Sequence, residues 1–502
     1  MIRKLHIILF ALFLMNTCYL RIALGNPVII NPGDIIQKAV DSNPEGTAFT
    51  IKAGVYRLQQ VIPRNGNTFT GEPGAIMSGA KLLSSFTQAG NNWVASGQTQ
   101  QGHVAGLCRL NPDGVTRYEG CWYSEDLFID NVPLWHVTTL SEVAPGKWYF
   151  DYAADKIYFG DNPTGHTVET SVMPYAFAGS ASNVTIRGLT IEKYAVPAQS
   201  GAIHAVNWQT ATPSTRWVIE NCEIRLNHGA GIRTSHQMQI LNNHIHHNGQ
   251  LGLGGLGDNM LVEGNEIAHN NYAGFSSGWE AGGAKWVRTN NLTVRNNSSH
   301  HNKGPGLWTD GDNINTVYDM NTVTDNDDAG IFHEISYDAT IRNNTVRNNG
   351  KAPDNRWLYG AQILISSSRN AQVYRNRVEV DALAGNGIAI IQQNRGTGLY
   401  GPYVTIGNYI HHNVVTYRGD HGLSGAAADF NPDVMFNGNN LFDYNTYHAP
   451  YLNSSRWVWG GNKKDWQGFK AVGQEPHGAV DTDLQGNIGV PAAPTWVRII
   501  GP

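Results

Sequence analysis

Asp310 and Glu334 stand at the same point of two neighbouring, similar segments, "GLWTDGDN" (residues 306–313) and "GIFHEISY" (residues 330–337). Aligning their Gly-apolar-aromatic steps sets Gly306-Leu307-Trp308-Thr309-Asp310 beside Gly330-Ile331-Phe332-His333-Glu334. If these are stacked rungs of a sheet, equivalent residues lie about 4.8 Å apart and the carboxyl carbons roughly 5–6 Å apart. At that separation one carboxylate can attack an acetal carbon while the other protonates the departing oxygen. Two close carboxylates also push one pKa upward, which keeps one acid protonated near neutral pH. The alternatives for such a pair are exposed turn residues or ligands of a structural cation. The rest of the column is neutral: Ile391 or Gln392 falls two coils above Glu334, and a residue near Gly278 falls one coil below Asp310. Asp312 lies two residues past Asp310 and can face the same side of a strand. Either aspartate can serve as nucleophile, and the alignment favours Asp310.

Longer segments flank the pair. The stretch before it, "SSGWEAGGAKW", supplies Glu280 and Lys285; the stretches after it, "DNRWLYG" and "QQNRG", supply Arg356, Trp357, Gln392 and Arg395. Trp308, Asn313 and His333 adjoin the acids themselves. Aromatic faces beside amide and guanidinium donors suit a sugar ring, which offers C–H patches and hydroxyls together. These nine residues are the candidate substrate contacts.

The elements that position them repeat. From about residue 181 the pattern Asn-x-apolar-x-x-Asn recurs, for example as Asn243…Asn248, Asn297…Asn302, Asn344…Asn349 and Asn408…Asn413. From Cys222 the first positions step by 21, 22, 32, 24, 23, 32, 32 and 32 residues. A basic coil of about 22 residues with short strands marks a parallel β-helix. Leucine-rich spacing is absent, and a propeller blade needs about 40 residues. Asparagine suits equivalent positions of successive coils, because each amide donates to one neighbour and accepts from the other. The histidines of "HIHHN", "SHHN" and "IHHN" precede ladder asparagines and read as outward-stacking residues rather than as a metal site. The expected fold is all-β: a right-handed parallel β-helix of about ten coils.

Composition agrees with an elongated, neutral-surfaced body. Only 15% of the 502 residues are charged, the formal net charge is -5, and no basic stripe points to nucleic acid. Residues 1–25 read as a signal peptide: Arg3 and Lys4, an apolar run too short to span a bilayer, and Ala23-Leu24-Gly25 for cleavage. Residues 26–78 then form an N-terminal cap and the first coils, with Asp34 as N-cap of a short helix. Residues 79–175, with "KWYFDYAADKIYF", form an inserted antiparallel β subdomain resembling a sandwich. Residues 176–480 carry the β-helix and its groove, and 481–502 form a tail. Cys18 leaves with the signal, Cys108 and Cys121 can pair in an oxidising compartment, and Cys222 reads as a buried thiol.

The helix-then-strand start ending in "AGVYRL" resembles the cap of pectate-lyase-like β-helix proteins. "GLWTDGDN" and "GIFHEIS" resemble the steps from which β-helix glycoside hydrolases of the β-xylosidase type present an aspartate and a glutamate on neighbouring coils. That group is also similar in carrying a β-sandwich insert. The signal segment implies a secreted or periplasmic protein, a monomer is expected, and the resemblance implies an enzyme that hydrolyses a polysaccharide or oligosaccharide, with Asp310 as nucleophile and Glu334 as acid/base. It implies a carbohydrate partner, no cofactor, and no membrane contact after signal removal. The rivals are a calcium-using lyase or epimerase acting on uronic-acid chains, with Lys285, Arg356 or Arg395 as cationic groups, and a non-enzymatic glycan-binding scaffold.

Overall fold

The computed structural model describes residues 26–109, 119–207, 209–352 and 357–484. The signal segment, Cys18, Arg356 and most of the C-terminal tail lie outside the described residues. Three long sheets, taken in the order a coil visits them, have 13, 13 and 12 strands and wind around one core. All pairings are parallel except the last pair of the third sheet, whose 11 stacked parallel strands agree with the expected coil number. From Phe177–Ala178 onward each coil lends one short strand to each sheet. In the first sheet the inward column runs Ile219, Ile240, Val262, Val294, Tyr318, Ile341, Val373, all buried. Stacking like on like removes each side chain from water, worth about 1.5–3 kcal/mol apiece.

Asparagine ladders fix the turns. One runs Asn243, Asn265, Asn297, Asn321, Asn344, Asn376, Asn413, Asn445, each Nδ2 donating to the next Oδ1 at 2.9–3.1 Å. The ladder ends on Glu475, whose Oε1 accepts from Asn445 Nδ2 at 2.7 Å. Asn413, not Asn408, continues the column after Asn376, by a step of 37 residues. Asn408 instead pairs with Asn440 in a separate ladder before the first-sheet strands. The sequence pattern placed these coils one turn out of register because both ladders use the same residue type. The second ladder, Asn227 to Asn349, is closed by Gln362, which accepts from Asn349 Nδ2 at 2.8 Å. Glycine opens the strands beside it: a Cβ at Gly306 would stand 2.7 Å from Asn326 Nδ2.

Cap and insert complete the body. The first helix, Ile36–Asp41, buries Ile36 and Val40 over the open end. Its N-cap is Ile35 rather than Asp34, whose carboxylate accepts instead from Asn31 N at 2.7 Å. Ala75–Ser78 pairs with Thr190–Glu192, so the chain leaves the stack after residue 78 and rejoins it one coil later. In between, a four-stranded and a five-stranded sheet, antiparallel apart from one edge pairing, enclose Trp148, Phe150, Ile157 and Phe159. Cys108 and Cys121 are disulfide-bonded and pack with Phe275 and Ala281 of the β-helix, while Cys222 is a buried free thiol. Among the described residues no helix is long and apolar enough to cross a membrane.

Candidate active site

The third sheet brings the acids together. Leu307–Asp310 pairs in parallel with Ile331–Glu334, in the register Leu307 to Ile331, Trp308 to Phe332, Thr309 to His333 and Asp310 to Glu334. Alternation turns Leu307 and Ile331 into the core and the acids outward. The column continues to Ser366 and Ile391 above. Below, Trp286 pairs with Thr309, so the column passes through Val287 and not near Gly278, which lies in the helix Ser277–Glu280.

Each acid has its own cation. Lys285 Nζ lies 2.8 Å from Asp310 Oδ2, donates to Trp279 O at 2.6 Å, and stands 3.7 Å from the centre of the Trp308 ring. Asp310 Oδ1 is buried and has no hydrogen-bond partner. Arg395 Nη1 pairs with Glu334 Oε1. Burial, and then the Asp310 charge, push the Glu334 carboxyl up to about 7, against the opposing pull of Arg395 and Lys285. The site therefore holds two neighbouring carboxyl groups, one of which carries a proton through much of the neutral range.

Loops wall the sheet on both edges. Steps of 32 residues between Asn265 and Asn297 and between Asn344 and Asn376 bracket steps of 24 and 23 in the coils that carry the acids. The loops entering the third sheet hold Glu280, ahead of Gly282–Trp286, and Tyr359, ahead of Ala361–Ser366. Downstream, the residues after Asn386–Gln392 form a hairpin, Thr397–Gly398 with Gly401–Pro402, that folds back across three coils. Tyr337 Oη donates to Gly401 O at 2.7 Å, and Arg369 Nη2 donates to Tyr400 O. Asp312 fastens the same hairpin: its Oδ1 accepts from Leu399 N and Tyr403 Oη, both at 2.7 Å. The hairpin follows Arg395, which pairs with Glu334, and the latch takes up one oxygen of Asp312, the aspartate that rivalled Asp310.

Several expected contacts are redirected. His333 points into the core, where burial pushes its imidazole down to about 3 and Nδ1 lies 2.8 Å from Thr309 Oγ1; strand alternation puts it opposite to Glu334. Asn313 is a ladder residue, accepting from Thr289 Oγ1 and donating to Ser336 Oγ. Gln392 is buried, with Oε1 accepting from Thr405 N. Trp308 faces outward but is only 3% exposed, covered by Lys285 and stacked on Phe332 at 5.3 Å, so it is packing and not a sugar platform. Glu280 is held by Gln199 Nε2 at 2.6 Å and faces Arg233 at 3.6 Å. Trp357 is exposed on the rim, and its carbonyl accepts from Asn386 Nδ2. Two tyrosines were not among the candidates. Tyr359 donates to Gln393 Oε1 at 2.6 Å, and burial together with the Glu334 charge pushes it up to about 12. Tyr403 belongs to the latch. Tyr359 was visible as a wall aromatic, whereas Tyr403 has no signal beyond the length of its coil.

Comparison with known proteins agrees with this architecture. The family described as the right handed beta helix region matches residues 205–378. The complex of XylC with xylose superimposes with a TM-score of 0.63 at 16% identity, over 89% of this chain and 83% of that one. The A-module of the Azotobacter vinelandii mannuronan C-5 epimerase AlgE6 gives 0.48 at 13% identity, over 89% and 93%. No curated protein sequence matches the chain. The molecule is a right-handed parallel β-helix with a two-sheet insert and an outward acid pair on its third sheet.

Proposed function

We propose that this protein is an exported glycoside hydrolase that cleaves with retention of configuration. The observation that carries the reading is the pairing of Asp310 with Glu334 on adjacent outward rungs, with the Glu334 carboxyl raised to about 7. In this reading a carboxylate oxygen of Asp310 attacks the anomeric carbon while Glu334 gives its proton to the leaving oxygen. Glu334, now ionised, takes a proton from water, whose oxygen displaces Asp310 and releases the sugar. Lys285 holds the Asp310 carboxylate in place, and Arg395 steadies Glu334 once it is ionised. XylC was solved with xylose, so aryl xylosides are the first substrates to try.

The test uses Asp310→Ala and Glu334→Ala on aryl glycosides with good and poor leaving groups. Loss of Glu334 should slow the poor leaving group far more, since only that one needs protonation. Azide should rescue both variants, giving a glycosyl azide of retained configuration with Glu334→Ala and of inverted configuration with Asp310→Ala. Full activity in both variants would sink the reading.

A lyase or epimerase on uronic-acid chains is the second reading, favoured by the presence of Lys285 and Arg395 at the floor, either of which can meet a sugar carboxylate. Against its calcium form, both acids already face a resident cation. A product that absorbs in the ultraviolet through a new double bond would select the lyase.

A further inference from the structure

The outer face of the second sheet carries a stripe of imidazoles, on a different sheet from the acid pair. Successive coils place His246, Ala268 and His300 in one column. The adjoining turn holds His247, His269 and His301, all in the left-handed region with φ of 50°, 55° and 55°. His269 and His301 stack at 5.1 Å, while His300 meets both edge-on, at 89° to each. One ligand nitrogen from each of His269, His300 and His301 lies within 4.8 Å of the others.

Protonation makes this more than a stack of rings. His300 Nε2 faces Glu266 Oε1 at 3.1 Å, so the carboxylate draws the ring proton to Nε2 and leaves a lone pair on Nδ1. That Nδ1 faces His301 Nδ1 at 3.0 Å, a distance at which one of the two must carry a proton. A cation can replace that proton and take both lone pairs, with His301 moving its hydrogen to Nε2 and His269 closing the site. Three imidazoles with an open fourth position suit zinc and its neighbours among the divalent transition metals, and a carboxylate behind one ligand is the usual orienting partner.

Two other clusters on the same surface lack this geometry. Glu223, His244 and His246 offer only two imidazoles, stacked at 3.8 Å, so that cluster supplies two nitrogens and a carboxylate oxygen rather than three nitrogens. His411 and His412 repeat the close Nδ1 pair at 2.8 Å, but their neighbours Tyr374 and Tyr444 supply no third nitrogen.

We propose that His269, His300 and His301 bind one divalent transition-metal ion, with Glu266 as the positioning residue. The probe is Zn2+ alone, titrated calorimetrically into the untagged full chain. Saturable binding is expected that is lost in His300→Ala and in His301→Ala, kept in His244→Ala and His412→Ala, and weakened about tenfold in Glu266→Gln. On the unaltered chain, bound Cu2+ should show coupling to three nitrogens in its paramagnetic resonance spectrum. The proposal is overturned if no saturable binding occurs, if binding survives His300→Ala but fails in His244→Ala, or if Cu2+ is held by oxygen alone.

Discussion

At the scale of single residues, the two aspartates of "TDGD" separate cleanly. Asp312 spends one oxygen on both of its partners, so Asp312→Asn keeps the latch and should leave kcat nearly unchanged. Asp310→Asn should abolish the attacking carboxylate, and Glu334→Gln should lower kcat by about 10²–10⁴-fold on a poor leaving group. Steady-state kinetics of the three variants decide the roles. The Glu334 carboxyl is raised from 4.5 to about 7 in the folded chain. Its contribution to stability is therefore present below the unfolded value and lost as pH rises through about 7. The melting temperature should fall between about pH 5 and about pH 8, and should fall less in Glu334→Gln, which cannot ionise. In the proposed mechanism the same proton is the one delivered, so turnover should decline along that alkaline limb.

At the scale of elements, the ladders set everything else in register. Asn321 accepts from both Asn297 N and Asn297 Nδ2 and donates to Asn344 Oδ1 and Val294 O. Asn321→Ala would strand the buried Asn297 backbone N–H, while Asn297 Nδ2 keeps Val262 O and Arg295 O, and should cost about 1–3 kcal/mol in chemical denaturation. Repeat length and asparagine pattern made this architecture legible in the sequence, because a stacked side chain must recur at every coil. The acid pair was legible for the same reason. Its contacts were less so: His333 sits one position before Glu334 and Asn313 three past Asp310, and strand alternation or a ladder turns them inward. The hairpin latch was invisible, since Leu399 and Tyr403 meet Asp312 only through a fold-back that no period encodes. Asp312→Ala should loosen that hairpin at Leu399 and Tyr403, leaving the Tyr337 and Arg369 contacts in place, which would appear as faster proteolysis near Leu399.

At the scale of the whole molecule, the insert and the β-helix meet where Cys108–Cys121 packs on Phe275 and Ala281. Closing a short loop, the disulfide should contribute about 3 kcal/mol, so Cys108→Ser with Cys121→Ser should lower the melting temperature while sparing the ladder. That experiment also shows whether the insert loosens alone or carries the upstream wall with it.

The rung spacing of the third sheet behaves like a lattice constant. The gap between Asp310 and Glu334 is set by backbone pairing and not by any loop, so whole coils could be added or deleted far from the groove without retuning it. Evolution or a designer could thus lengthen the rod, or swap the fences around the trough, while the two acids stay at a fixed pitch.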